Sequence, residues 1–215
     1  MERPRLLVVA HGTASPEGSA TTSALLDAVR AARPGQVVDL CFLDVVSPRL
    51  PEVLDARPTV VVPLLLSTGY HVQTDIPAAV AAYPQARVAR HLGPHPLLVD
   101  ALVDRLGVIG ANDSVLLVGA GSSRPEAADE LAETAQLLGG RVGRPVPVST
   151  VGDDVRSRLV ALPQPARVAT YLLAEGQFVT TLRAAADGLA RVAEPIGVHP
   201  ALVQLVWQRY DEALG

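Results

Sequence analysis

Leu92-Gly93-Pro94-His95-Pro96-Leu97-Leu98-Val99 returns near the end of the chain as Ile196-Gly197-Val198-His199-Pro200-Ala201-Leu202-Val203. An eight-residue echo that keeps Gly, His, Pro, Leu and Val in register marks a duplicated unit. The two copies stand 104 positions apart here (His95 to His199) and 109 apart near the start (His11 to Ala120), a drift that a few loop deletions absorb. Between these ends Val115–Val118 mirrors Leu6–Val9, Pro145–Thr150 mirrors Val37–Phe42, and Arg167–Leu173 mirrors Val60–Leu66. A turn-rich stretch at Gly107–Asn112 separates the copies, giving an N-terminal repeat over 1–108 and a C-terminal repeat over 109–215.

Within the first copy, short Val- and Leu-rich runs alternate with segments of helical spacing. Leu6–Ala10, Val37–Leu43, Thr59–Leu66 and Ala86–Arg90 are apolar at nearly every position, the pattern of parallel strands buried on both faces. Ser19–Ala32, Pro48–Ala56, Ile76–Ala82 and Pro96–Leu106 carry helical periodicity. This alternation predicts an α/β fold: two tandem open parallel four-stranded units, joined by right-handed crossovers, with helices on both faces.

Composition narrows the function classes. Of 215 residues 49% are hydrophobic, enough for a substantial core, yet no apolar run reaches the roughly 18–20 residues that span a bilayer. The apolar start, Leu6–Ala10, is too short for a signal-peptide core, so a cytoplasmic protein without membrane partners is expected. A net charge of −4 gives no basic footprint for nucleic acid. All 18 basic residues are arginine, which excludes lysine Schiff-base and P-loop chemistry. The single cysteine, Cys41, rules out an internal disulfide and reads as a small buried hydrophobe.

In open parallel sheets ligands bind at the carboxyl ends of the strands. Three metal-capable residues follow such ends: His11 after the first run, Asp44 after the second and His71 after the third. Adjacent strands lie about 5 Å apart, so residues far apart in sequence become neighbours there. Two imidazoles and a carboxylate with positions left open suit a borderline divalent ion such as Co²⁺, Fe²⁺ or Ni²⁺. Gly12 beside His11 allows close approach to the backbone. The second copy is an internal control. It has Ala120 opposite His11, Phe178 opposite His71 and Gly152 opposite Asp44, so all three candidates vanish together. His95 and His199 persist in both copies beside a proline that opens a helix, and read mainly as residues fixing that helix start. Asp75 precedes Ile76-Pro77 and reads as an N-cap, with a supporting contact to His71 as the other role. Tyr70 and Trp207 read as packing residues.

These residues are familiar as a set. Val8-Val9-Ala10-His11-Gly12-Thr13, Phe42-Leu43-Asp44 with Pro48, Val62-Pro63-Leu64 leading to Gly69-Tyr70-His71-Val72, Asp75-Ile76-Pro77 and Leu92-Gly93-Pro94-His95-Pro96 keep family order over residues 5 to 106. The chain resembles the class II chelatases that act on sirohydrochlorin, the cobaltochelatases and ferrochelatases of cobalamin and siroheme synthesis, in their long two-repeat form. The resemblance implies a chelatase-like fold with an active-site cleft between two α/β halves. It implies His11 and His71 as the metal-binding and catalytic pair, with an acid after the second strand as third ligand. Here that acid is Asp44, where the family favours glutamate. It further implies a tetrapyrrole and a divalent metal as substrates, no permanently bound cofactor and a monomer. Thr13, Ser67, Thr68, Gly69 and Tyr70 are the substrate-binding candidates, with Asp75 and His95 behind the metal ligands. Arg49, Arg90 and the Ser122–Ser123 turn are further candidates for the ring carboxylates.

The chemistry agrees with this reading. Metal insertion removes two protons from pyrrole nitrogens, and a neutral imidazole, with an ordinary pKa of about 6.5, binds an ion or accepts a proton. Activity is therefore expected to fall below about pH 6. Histidine phosphatases also carry His-Gly after a first strand, but they need an arginine immediately before the histidine, and here stands Ala10. A carrier that binds metal or tetrapyrrole without turnover is the remaining alternative.

Overall fold

The computed structural model describes residues 3–215, which divide into two compact units. One comprises residues up to Gly93 together with Val198–Gly215; the other runs from Pro94 to Gly197.

The first unit is built on four parallel strands, β1 (Arg5–Ala10), β2 (Val38–Phe42), β3 (Thr59–Pro63) and β4 (Ala86–Val88), in the order β2-β1-β3-β4. Its helices are α1 (Pro16–Ala32), the short α2 (Leu50–Val53), α3 (Ile76–Val80) and the C-terminal α8 (Pro200–Leu214), with a π-helical turn, His71–Asp75, leading into α3. Alternation along the strands sends successive side chains to opposite faces. Leu7, Val9, Cys41 and Val61 pack with Leu50, Leu54, Ile76 and Val80 on the α2/α3 face. Val8, Leu40 and Leu64 face Leu25, Leu26, Val29 and Val206 of α1 and α8. Trp207 reinforces that second face by donating its indole N–H to the Val29 carbonyl (3.1 Å).

The second unit repeats the plan with β5 (Ser114–Gly119), β6 (Val148–Thr150), β7 (Ala166–Tyr171) and β8 (Ala190–Val192), ordered β6-β5-β7-β8 and again parallel. Its helices are α4 (Pro96–Leu106), α5 (Pro125–Val142), α6 (Val155–Val160) and α7 (Gln177–Ala186). Leu116, Val118 and Val168 pack against Val155, Leu159, Leu182 and Ala186. Strand registers reproduce the drift read from the sequence. Arg5 pairs with Thr59 as Ser114 pairs with Ala166, and Thr59 pairs with Ala86 as Ala166 pairs with Ala190.

The repeats at 1–108 and 109–215 differ from the packing units in one element. Each repeat's last helix is exchanged: α4 lies with the second sheet and α8 with the first. Equivalent arginines pin the exchanged helices. Arg209 of α8 donates to the carbonyls of His91 and Leu92 (both 3.0 Å), and Arg105 of α4 donates to that of Ile196 (2.8 and 3.1 Å). Sequence periodicity follows covalent order, so it assigned each helix to the sheet preceding it.

Local chemistry sets the element ends. Ser15 accepts from the Gly18 N–H (3.2 Å) to cap α1, with Pro16 in the first turn. The helix expected over Pro48–Ala56 shrinks to four residues, because Arg49 and Leu54 are both extended. Edge strands β2 and β4 are only partly buried, against the expectation of burial on both faces, whereas β1 and β3 are wholly buried. Cys41 is fully buried, and burial pushes its thiol up to about 12. No helix among the described residues is long and apolar enough to cross a membrane.

Candidate metal centre

In the first unit the chain leaves β1 toward β2 on one side and leaves β3 toward β4 on the other. The crevice beyond the carboxyl ends of β1 and β3 is therefore the topological switch point of the sheet. His11 directly follows β1, and His71 opens the π-helical turn that follows β3. Sixty residues apart in sequence, their rings lie 4.9 Å apart between centroids, at 82°.

Hydrogen bonds fix which nitrogen of each ring is free. His71 Nδ1 lies 2.6 Å from a carboxylate oxygen of Asp75, and His11 Nδ1 lies 3.1 Å from the Gly12 carbonyl. Both partners accept, so in the neutral rings each Nδ1 carries the proton and each Nε2 keeps its lone pair. A histidine that donates its distal N–H to a carboxylate or carbonyl is the usual arrangement behind a metal ligand. Asp75 does not cap α3: its backbone is helical and it makes no side-chain cap bond, so its contact is to His71 instead.

Gly12 has a structural duty that differs from an opening for ligand. Its φ is +96°, and a Cβ there would stand 2.1 Å from the Asp44 carbonyl oxygen. The absent side chain lets the His11 loop lie against the loop after β2, where the Asp44 N–H donates to the His11 carbonyl (2.9 Å).

Asp44 does not join the histidines as expected. Among the described residues no three His, Cys, Asp or Glu side chains form a ligand group. The Asp44 carboxylate instead accepts from the Val45 N–H (2.8 Å) and meets the Arg49 guanidinium (3.4 Å). The Val45 N–H, and then Arg49, hold it below the usual carboxylate range. Val45 is the one non-glycine residue described with positive φ (+68°), and the Val46 N–H closes a tight turn onto the Asp44 carbonyl (2.7 Å). The short aspartate side chain is thus satisfied inside its own loop.

His95 lies in the other unit, where its Nδ1 accepts from the Leu97 N–H (3.2 Å) and caps α4; His199 does the same for α8 with Ala201. The helix-start reading is the role the structure shows for both histidines. Ser67, Thr68, Gly69 and Tyr70 form the loop between β3 and the π-helical turn. Thr68 is buried, whereas Tyr70 is 56% exposed and not the packing residue expected. Tyr70 stands edge-on to His71 at 6.3 Å, and Val45, in the loop after β2, is a second exposed apolar residue at the carboxyl end of the sheet. Thr13 Oγ1 accepts from the Ser15 N–H (3.1 Å) at the start of α1. The sequence carried no sign of the turn at Val45, because positive φ at a β-branched residue has no local signature.

A family model described as CbiX matches the chain twice, over residues 5–108 and 114–213, one match per repeat. A sirohydrochlorin ferrochelatase of Priestia megaterium is 34% identical over 152 residues, covering 63% of this chain and 57% of that protein. One from Bacillus subtilis (strain 168) is 29% identical over 148 residues, covering 62% and 57%. In these matches the chain spans little more than half the length of the curated relatives. Among solved structures, SirB from Bacillus subtilis with Fe³⁺ superposes with a TM-score of 0.81 at 24% identity, covering 99% of this chain and 96% of that one. A CbiX described as the terminal enzyme for siroheme biosynthesis in denitrifying bacteria gives 0.75 at 22% identity, over 98% and 100%. At such identities the likeness shows the fold. With the family model matching nearly the whole length, the chain belongs to the CbiX family of class II chelatases, in its two-repeat form.

Proposed function

We propose that the protein inserts a divalent metal ion into a sirohydrochlorin-type tetrapyrrole. The observation that carries this reading is the histidine pair, two rings 4.9 Å apart with both Nδ1 atoms engaged and both Nε2 atoms left as Lewis bases. Family membership and the sirohydrochlorin ferrochelatases among the relatives support the substrate class. Relatives solved with Fe³⁺ and with cobalt support a transition-metal ion. In this reading the protein works as a cytoplasmic monomer without a resident cofactor; the ion is a substrate passing through, in siroheme or cobalamin synthesis.

Insertion replaces two pyrrole N–H protons by one M²⁺ and releases two protons. His11 and His71 hold the incoming ion through Nε2, and two ligands leave most of its coordination open for ring nitrogens. As the ion transfers, the vacated Nε2 lone pairs accept the pyrrole protons, and the Asp75 carboxylate stabilises the imidazolium formed on His71. Tyr70 and Val45 offer apolar surface to the ring, while Ser67, Thr68, Gly69 and Thr13 supply polar groups for its carboxylates. Thr13 still has its hydroxyl proton to donate. Cobalt, iron and nickel all suit imidazole ligands, so supply decides among them more than affinity does.

The test is insertion into sirohydrochlorin with Co²⁺, Fe²⁺ and Ni²⁺ in turn, followed by the change in ring absorbance. His11→Ala and His71→Ala are each expected to lower the rate by about 100-fold or more in folded protein. Normal turnover in both variants defeats the proposal. Product that stops at one equivalent per protein would identify a carrier instead.

A further inference from the structure

The two repeats differ by one residue beside His71. After β3 the Gln73 N–H bonds the Gly69 carbonyl (3.1 Å), and after β7 the Thr180 N–H bonds the Gly176 carbonyl (3.0 Å). Gly69 and Gly176 are thus equivalent, as are Gln73 and Thr180. At the other end of the helix the Tyr83 N–H bonds Val80 (2.8 Å) as the Leu189 N–H bonds Ala186 (3.0 Å). Ile76 and Leu182, each four residues before those anchors, are both fully buried in their cores. Gln73 and Ile76 are separated by Thr74 and Asp75, whereas Thr180 and Leu182 are separated by Thr181 alone. The N-terminal repeat holds one extra residue. With Thr74 opposite Thr181, that residue is Asp75.

The extra residue is accommodated where the helix widens. The Ile76 N–H bonds the His71 carbonyl five residues back, the π-helical pattern, while the corresponding stretch of α7 is a regular α-helix. Single π-turns occur within helices frequently at functional sites. Here Ile76 and Val80 stay seated in the core while a carboxylate enters between them and His71, 2.6 Å from its Nδ1. In the repeat that lacks the extra residue, the histidine is also absent, replaced by Phe178.

We infer that Asp75 is a one-residue insertion, held as a π-turn, that acts as the positioning residue for His71. It locks the Nδ1–H tautomer and so presents the Nε2 lone pair to the metal. The inference rests on the proposed metal-handling role of His71 and is tested apart from turnover, with Co²⁺ alone as probe. Asp75→Asn keeps the size of the side chain, but its amide can donate to Nδ1 and reverse the tautomer. Direct titration of the variant is expected to show about 10- to 100-fold weaker Co²⁺ binding than the parent. Deleting Asp75 is expected to give the same loss, with a regular helix in place of the turn and no loss of thermal stability. The imidazole ¹⁵N shifts of His71 in metal-free protein should report Nδ1–H in the parent and Nε2–H in Asp75→Asn.

Unchanged Co²⁺ affinity in Asp75→Asn, or an Nε2–H tautomer in the parent, overturns the inference. Failure of the parent itself to bind Co²⁺ counts instead against the metal reading of the histidine pair, and the tautomer measurement then decides the role of Asp75 by itself.

Discussion

At the scale of single residues the site depends on atoms that are absent as much as on those present. Gly12 carries no ligand, yet a methyl group there collides with the Asp44 carbonyl oxygen at 2.1 Å, and its φ of +96° disfavours any L side chain. Gly12→Ala is expected to push the loops after β1 and β2 apart and to destabilise the protein by about 1–3 kcal/mol. Co²⁺ binding should weaken with it, because His11 is carried by the same loop. Parental melting temperature and Co²⁺ affinity in this variant would show the contact to be unimportant. Gly121, at the equivalent place, also has positive φ (+87°), but a Cβ there meets a Thr150 side chain at 3.1 Å. The backbone bend is kept in both copies, while the tight backbone contact belongs to the copy with the histidine.

At the scale of elements, the strand starts, at the end of the sheet away from the histidines, are tied by charge. Arg5, 5% exposed at the start of β1, reaches Thr59 of β3, Asp39 of β2, the Val53 carbonyl at the end of α2, and Asp55 beyond it. Asp55 is held down to about 2, chiefly by the Arg57 guanidinium (2.7 and 2.9 Å) and N–H, with Arg5 adding to it. A carboxylate whose folded pKa lies below its unfolded value of about 3.9 stabilises the fold above that pH. Its contribution fades as pH falls from about 4 toward about 2. Asp55→Asn is therefore expected to lower the melting temperature at neutral pH and to flatten its decline between pH 4 and 2. Equal slopes for parent and variant over that interval would remove Asp55 from the acid response.

At the scale of the whole molecule, the exchanged helices make the unit carrying the histidines discontinuous in sequence, while the other, Pro94–Gly197, is one continuous stretch. The unit carrying the histidines takes Leu202, Leu205, Val206, Trp207 and Tyr210 from α8, all at most 4% exposed. Burying each such side chain contributes about 1.5–3 kcal/mol, and a domain has only about 5–15 kcal/mol of net stability. A chain ending at Gly197 should therefore lose hydrogen-exchange protection in β1 and β3 while β5 and β7 keep theirs. Persistent protection in β1 and β3 would mean that α8 is dispensable. The C-terminal repeat thus has a structural share in the site even though its own ligand positions are Ala120, Gly152 and Phe178.

The duplication, the parallel strands and the histidines at strand ends were legible in the sequence, because buried parallel strands and helix starts leave local patterns. Pro96 and Pro200, each after a capping histidine, mark α4 and α8 without reference to anything distant. Tertiary structure decided the rest. The exchange of α4 and α8 follows from packing against distant strands, which no local period encodes. Asp44 turned to Val45 and Arg49, rather than to the histidines, because a short carboxylate is satisfied by the nearest donors its loop presents. Asp75 read as a cap from its place before Ile76-Pro77, with a contact to His71 as the alternative, and no local pattern chose between them. The widened turn, which keeps Ile76 and Val80 in the core, decided for the contact to His71.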